Sequence, residues 1–340
     1  MRAVTKRLIM LLLGVFLLDG GWAQQVDSTQ TIVHEWPYIK DVSNNVMFNV
    51  RAIMRSYDLN IRHVDSGNEL HISPLGQMNL GLGINFKWIG IAYNFGLPSL
   101  DQHIRKYGET KKQDLHIGMY GNRASGFINL QRYKGFHLSN YTDTLSGNQV
   151  KLPSLEMYSI NFSGLYFLNH DKFSFKAAYV RNAIQKKSAG SLGVGAYLTF
   201  DSSTSDGVMG GSEIPDSIQN QFEFSAIWSR TFGVSIGYTY TWVIGNGFFV
   251  NGTCVPGIGA KKIRLTLSDK MAELEAGISF RLEANVAMGY EADNWLAGLT
   301  ASTLNQFYEI EGLVVSPTST SVKFFVAKRF SIPKRTKNKG

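Results

Sequence analysis

The chain has 340 residues, with 34 Lys plus Arg against 26 Asp plus Glu for a formal charge of +8, together with 34 glycines, 8 prolines and 12% aromatic residues. Arg2, Lys6 and Arg7 outweigh Asp19 near the start, and Lys334, Arg335, Lys337 and Lys339 crowd the end. The body between them keeps only about two net positive charges, too few for a nucleic-acid-binding surface. Mean hydropathy is −0.09, and beyond the opening segment no apolar run reaches the length of a spanning helix, which excludes a helical membrane protein.

Residues 1–23 read as a cleaved export signal. Arg2, Lys6 and Arg7 precede the apolar run Leu8–Leu18, and Gly21-Trp22-Ala23 supplies a small-x-small site. The run is shorter than the roughly 20 residues of a spanning helix, so cleavage is expected after Ala23. The expected new terminus is Gln24 and not a cysteine, which argues against a lipid anchor, and the single thiol, Cys254, can form no internal disulfide. Residues 24–44 are expected to form a periplasmic N-terminal segment, 45–330 the main domain and 331–340 a basic C-terminal tail.

The main domain alternates with period two. From Met78 to Trp88 the even positions are Met78, Leu80, Leu82, Ile84, Phe86 and Trp88, and the odd ones are Asn79, Gly81, Gly83, Asn85 and Lys87. Phe232–Ile244 and Leu274–Tyr290 split the same way. These runs far exceed the ordinary strand of about 5–6 residues and match the ~9–11 of a tilted membrane strand. Their apolar faces end in Trp88, Tyr240, Trp242 and Tyr290, as girdles at lipid headgroups do. Further strands are expected at 45–55, 89–97, 112–121, 126–136, 155–168, 172–182, 189–200, 220–228, 248–259, 293–304 and 319–330. Fourteen candidates result, with twelve left open because the rhythm of short and long connections breaks between 183 and 231. The fold expected is all-β, an antiparallel transmembrane β-barrel of 12–14 strands. Asn169–Lys172, Gly245–Gly247 and Glu291–Asn294 read as tight periplasmic turns. Segments 98–111, 137–153, 260–271 and 305–318 read as long extracellular connections. The last strand ends at Phe330, an aromatic terminus of the kind that barrel-assembly machinery reads, although Ser331–Gly340 extends past it.

Three segments carry a resemblance: Leu80–Gly90, the hexapeptide Gln131-Arg132-Tyr133-Lys134-Gly135-Phe136, and Gln185-Lys186-Lys187-Ser188-Ala189-Gly190-Ser191. Together they resemble domain-of-unknown-function family 4421, between Tyr38 and Phe330. The resemblance implies an outer-membrane barrel of Gram-negative bacteria and brings no reaction, substrate or catalytic residue with it.

Candidate functional positions are the charged residues expected in the lumen or at its rim: Arg132, Lys134, Arg181, Lys186, Lys187, Glu273, Glu275, Arg281 and Glu283. The basic members could form a band for an anionic solute or lipopolysaccharide phosphate. They could instead pair with the acidic members across the lumen, which is preferred because a lone buried charge is costly. Asp114 and His116, two apart on one strand face, form a weak base-and-orienter candidate with no serine tied to them. His34, His63, His71, His103, His137 and His170 show no metal-ligand spacing, and Gly81-Leu82-Gly83 lies inside a strand, where no phosphate loop forms. No cofactor and no enzymatic activity are expected. The reading put first is a pore or channel for small hydrophilic solutes, the alternative is a non-transporting structural or interaction barrel of the envelope, and a barrel hydrolase is a distant third. Partners expected are outer-membrane lipid with its lipopolysaccharide and the assembly machinery, with no nucleic acid.

Overall fold

A computed structural model describes residues 37–331 except 43, 77, 98–100, 143–146, 181, 212–213, 246, 268–269, 272–274 and 293. Residues 1–23, expected as an export signal, and nearly all of the expected basic tail lie outside the described residues. In chain order the elements are β1 (Ile39–Asp41), β2 (Asn45–His63), β3 (Glu69–Ser73), β4 (Met78–Phe86), β5 (Ile89–Gly96), α1 (Asp101–Tyr107), β6 (Lys111–Tyr120), β7 (Ala124–Thr142) and β8 (Gln149–Phe167). There follow α2 (Phe175–Tyr179), β9 (Ala183–Gln185), β10 (Ala189–Thr204), α3 (Asp216–Gln219), β11 (Phe224–Gly245), β12 (Phe248–Leu267), β13 (Lys270–Met271), β14 (Glu275–Ala292), β15 (Trp295–Ile310) and β16 (Leu313–Ser331).

One antiparallel sheet of 14 strands contains a closed ring. Its path runs β11-β10-β8-β7-β6-β5-β4-β2-β16-β15-β14-β12, and β11 pairs with β12 to close it. Removing β3 and β13 from the sheet leaves twelve strands in the ring among the described residues. Closure joins the chain's two ends, because β16 pairs with β2 from Leu313↔His63 to Ser331↔Asn45. The alternation of the sequence sets the two faces of this transmembrane wall. Phe48, Val50, Met54, Leu82, Ile84, Val234, Ile236, Ile278 and Phe280 are exposed on the outside. Trp88, Trp242, Tyr290, Trp295 and Phe330 ring one end of that apolar band, and Tyr93, Tyr158, Trp228 and Phe307 stand toward the other.

Two expected strands do not form. Segments 220–228 and 232–244 are one continuous strand, β11, with a register irregularity between Phe224 and Ala226. Segment 172–182 is not a strand at all: Phe173, Ser174, Phe175, Lys176, Ala177 and Ala178 are all buried in a loop carrying the short α2. Both phases of this segment are buried, which a period-two reading cannot tell from a strand. Asn169–Lys172 is the expected turn, with Lys172 N donating to the Asn169 carbonyl at 3.2 Å, but it opens this inward loop and joins no two wall strands.

Most of the expected long extracellular connections also turn out to be strand. β7 and β8 run to Thr142 and from Gln149, β12 reaches Leu267, and β15 and β16 meet across the two-residue turn Glu311-Gly312. The cause is an inversion of polarity along an unbroken strand. In β2, Phe48, Val50 and Met54 face outward below Asp58, Asn60 and Arg62, whereas the inward phase changes from Asn49 and Arg51 to Tyr57, Leu59 and Ile61. Beyond the lipid band the outside meets water and the inside becomes a conventional core.

The wall also narrows there. β4 and β5 are short, and β3 pairs with β2 on one side and with β7 through Ile72↔Leu138 and Ser73↔His137 on the other. One strand thus replaces three, β4 to β6, and the smaller interior can be filled by side chains.

Candidate functional site

Gln131–Phe136 and Gln185–Ser191 acquire separate structural meanings. On β7, Gln131 and Tyr133 point inward and Arg132 and Lys134 outward. Tyr133 Oη donates to both Asp114 carboxylate oxygens, at 3.1 and 3.0 Å, and Gln131 Nε2 donates to Asp114 Oδ1 at 3.3 Å. Gly135, at φ +85°, makes the bulge between Lys134 and Phe136; a Cβ there would overlap the Glu109 carbonyl. Phe136 thereby turns into the apolar core beyond the lipid band. The second segment anchors the inward loop: Gln185 Oε1 accepts from Ser174 N at 3.0 Å, and its Nε2 donates to the carbonyls of Lys172 at 2.6 Å and Lys187 at 2.9 Å.

The lumen consequently has three layers. At the end expected to be periplasmic the loop between Phe167 and Ala189 packs Phe173, Phe175, Tyr179 and Val180 against Tyr120, Leu165, Phe167 and Val255. The chain's N-terminal segment locks it, through the β1–β9 ladder and through Lys176 Nζ to Asp41 Oδ2 at 3.1 Å. Tyr179 Oη donates to Asn251 Oδ1 at 2.7 Å, and burial pushes that phenol well above its ordinary range, so it stays a neutral donor. At the opposite end, expected to be extracellular, Tyr57, Leu59, Ile61, Leu70, Ile72, Phe136, Leu138, Leu155, Met157, Tyr308 and Val315 form the core, with Met209, Ile214 and Phe222 of the β10–β11 connection inserted among them.

Between the two lies a polar chamber of about 180 Å³. Its wall includes Arg51, Arg55, His116, Asn129, Gln131, Ser159, Asn161, Arg281, Glu283, Ser302, Ser321 and Lys323. Arg55 meets Asp114 at 3.5 Å, and Arg281 Nη2 donates to Glu283 Oε2 at 2.9 Å while its guanidinium stacks over Tyr197, 4.5 Å from the ring centre. Asp201 accepts from Ser159 at 2.7 Å and Tyr57 at 3.1 Å. Lys261 lies over the Tyr308 ring at 3.2 Å. Arg51 donates twice to the neutral Asn49 Oδ1, at 3.0 and 2.7 Å.

The expected charged positions are scattered by this arrangement. Arg281 and Glu283 line the chamber, paired with each other. Arg132 is on the outer face and pairs with Glu156 on β8, and Lys134 is beside it on the same face, so neither crosses the lumen. The outward phase of β7 imposes this, because inward positions fall on Gln131 and Tyr133. Lys186 and Lys187 are exposed on the periplasmic side of the inward loop, with Lys187 Nζ 5.4 Å from the Tyr38 ring centre. Arg181 and Glu273 lie outside the described residues, and Glu275 opens β14 at the extracellular end. Asp114 and His116 share the inward face of β6 but turn to different partners, Asp114 to Arg55 and Tyr133, His116 to Asn129. Among the described residues no group of three or more His, Cys, Asp or Glu could hold a metal ion. Arg51, Arg55 and Lys323 were passed over although the signal existed: each falls on the inward phase of an expected strand.

The sequence matches the family described as a domain of unknown function (DUF4421) over residues 26–330. The chain belongs to that family. No curated protein matches the DUF4421 chain. Among solved structures it is similar to the outer membrane protease OmpT of Escherichia coli, at 8% identity and a TM-score of 0.36, covering 86% of this chain and 98% of that one. It is also similar to an outer membrane channel of Pseudomonas putida F1, at 10% identity and 0.34, covering 84% and 95%, and to the toluene transporter TodX of P. putida, at 7% and 0.27, covering 85% and 91%. Scores this low carry no argument about what the DUF4421 barrel does.

Proposed function

We propose that this protein is an outer-membrane barrel whose lumen is closed at rest, acting as a non-conducting envelope component with an internal binding chamber and not as an open pore. The observation that carries the reading is the filling of both ends, by the Phe173–Val180 loop on one side and by the apolar core with Met209, Ile214 and Phe222 on the other. Export through cleavage after Ala23 and insertion by the barrel-assembly machinery, with Phe330 as the terminal aromatic, belong to the same proposal. Lipopolysaccharide contact is supported by Arg230, Lys262 and Arg264 on the outer face, where Arg230 opposes Lys262 and Trp228 opposes Arg264 at the edge of the apolar band.

A gated pore for small hydrophilic solutes is the second reading, favoured by the way the periplasmic loop is docked: the short β1–β9 ladder and side-chain hydrogen bonds such as Tyr179 to Asn251 hold it without any covalent tie. Current across planar bilayers separates the two. The closed reading expects silence from the full-length mature protein, and stable steps at modest voltage would replace it with the pore.

A further inference from the structure

Charge balance inside the chamber is incomplete. Register on the β2–β16 seam sets Lys323 opposite Ile53, with Arg51 opposite Phe325 and Arg55 opposite Ser321, so the three cations are consecutive inward positions across two adjacent strands. Of the carboxylates nearby, Asp114 is engaged by Arg55 and Glu283 by Arg281, and Asp201 is held by the Ser159 and Tyr57 hydroxyls. Arg51 leans on a neutral amide, and among the described residues Lys323 makes no ion pair. Like charges held together away from bulk water repel one another and lose hydration, a cost that a bound anion removes.

The surroundings fit such an occupant. Gly81 and Gly83 leave the space that the Arg51 side chain fills, since a Cβ at Gly83 would overlap its guanidinium and one at Gly81 its stem. Ser321, hydrogen-bonded to Ser302 at 2.7 Å, and the amide of Asn129, whose Oδ1 meets His116, add neutral polar groups to the same wall. The roughly 180 Å³ available holds a tetrahedral oxyanion with a few waters. We infer that the central chamber binds a small inorganic oxyanion of the phosphate or sulfate type, held by Arg51, Arg55 and Lys323. The inference rests on the closed-lumen reading, because in an open pore mobile counter-ions would meet the same need without a site.

The test uses the full-length mature protein refolded into detergent from urea, with inorganic phosphate or with chloride at matched ionic strength. A ligand that binds only the folded barrel raises the urea midpoint by mass action. Phosphate is expected to raise the wild-type midpoint above that in chloride. The shift should vanish in Lys323→Gln and in Arg51→Gln and persist in Lys134→Gln, whose charge is on the outer face. Equal wild-type midpoints in the two salts would overturn the site, as would a phosphate shift that survives both interior substitutions. Should one interior variant fail to refold, the other decides. Bilayer current measured on the same preparation reports separately on closure: a conducting barrel that keeps a Lys323-dependent phosphate shift refutes the closed lumen and retains the site.

Discussion

Gly81 and Gly83 are small because Arg51 occupies the space their side chains would need. Gly83→Ala must displace the Arg51 guanidinium and the Asn49 amide, both ends of flexible side chains, so the barrel is expected to lose about 1 kcal/mol, the low end of overpacking costs, read from urea midpoints in detergent. The loss should shrink when Arg51→Ala is added, since the two positions touch and their effects should not sum; additive losses would show that the glycine serves something other than the arginine. The same pair explains what was legible at this scale. The glycines announced themselves as the small inward phase of a strand, but the arginine they accommodate is on a different strand, and pairing between β2 and β4 cannot be read from either segment alone. Arg132 and Lys134 misled for a related reason: their phase relative to the wall is fixed by Tyr133, which burial inside the narrowed tier pulls inward.

At the scale of elements, the inward loop is the part with most consequence for function. Gln185 ties Ser174, Lys172 and Lys187 together, so Gln185→Ala should leave the wall intact while loosening the loop. Limited proteolysis of folded protein is expected to cut faster within 169–187, with unchanged heat-modifiable migration on gels; unchanged cleavage would mean that the apolar contacts of Phe173 and Phe175 suffice. Replacing Phe173–Gln185 by a short Gly-Ser turn opens the periplasmic layer only. Because the extracellular core remains, that variant should still pass no current, and conduction should require removal of residues 206–223 as well. Strand phases and the short connection between β11 and β12 were visible from alternation and turn residues. The loop was not, because Phe173 and Phe175 alternate as a strand would while the barrel surrounds them on every side. The extended upper strands were missed because Tyr308, Ile310, Leu313 and Val315 keep the inward phase but exchange its polarity.

For the whole molecule, a lipid-embedded tier with a polar interior supports a narrower tier with an apolar interior. Cys254 offers a test without any engineering, since it is exposed in the middle of β12 on the outer face, opposite Tyr238 and Ala284. In liposomes it should resist a charged maleimide and accept a membrane-permeant one, whereas both should label it in urea; rapid labelling by the charged reagent in the folded state would place that face in water. Closure at both ends is the claim on which the functional account stands. The decisive measurement is planar-bilayer current from the full-length mature protein, alongside the variant lacking both the periplasmic loop and residues 206–223 as proof of insertion. The account predicts silence from the former and stable steps from the latter, and steps of comparable size from the intact protein would contradict it.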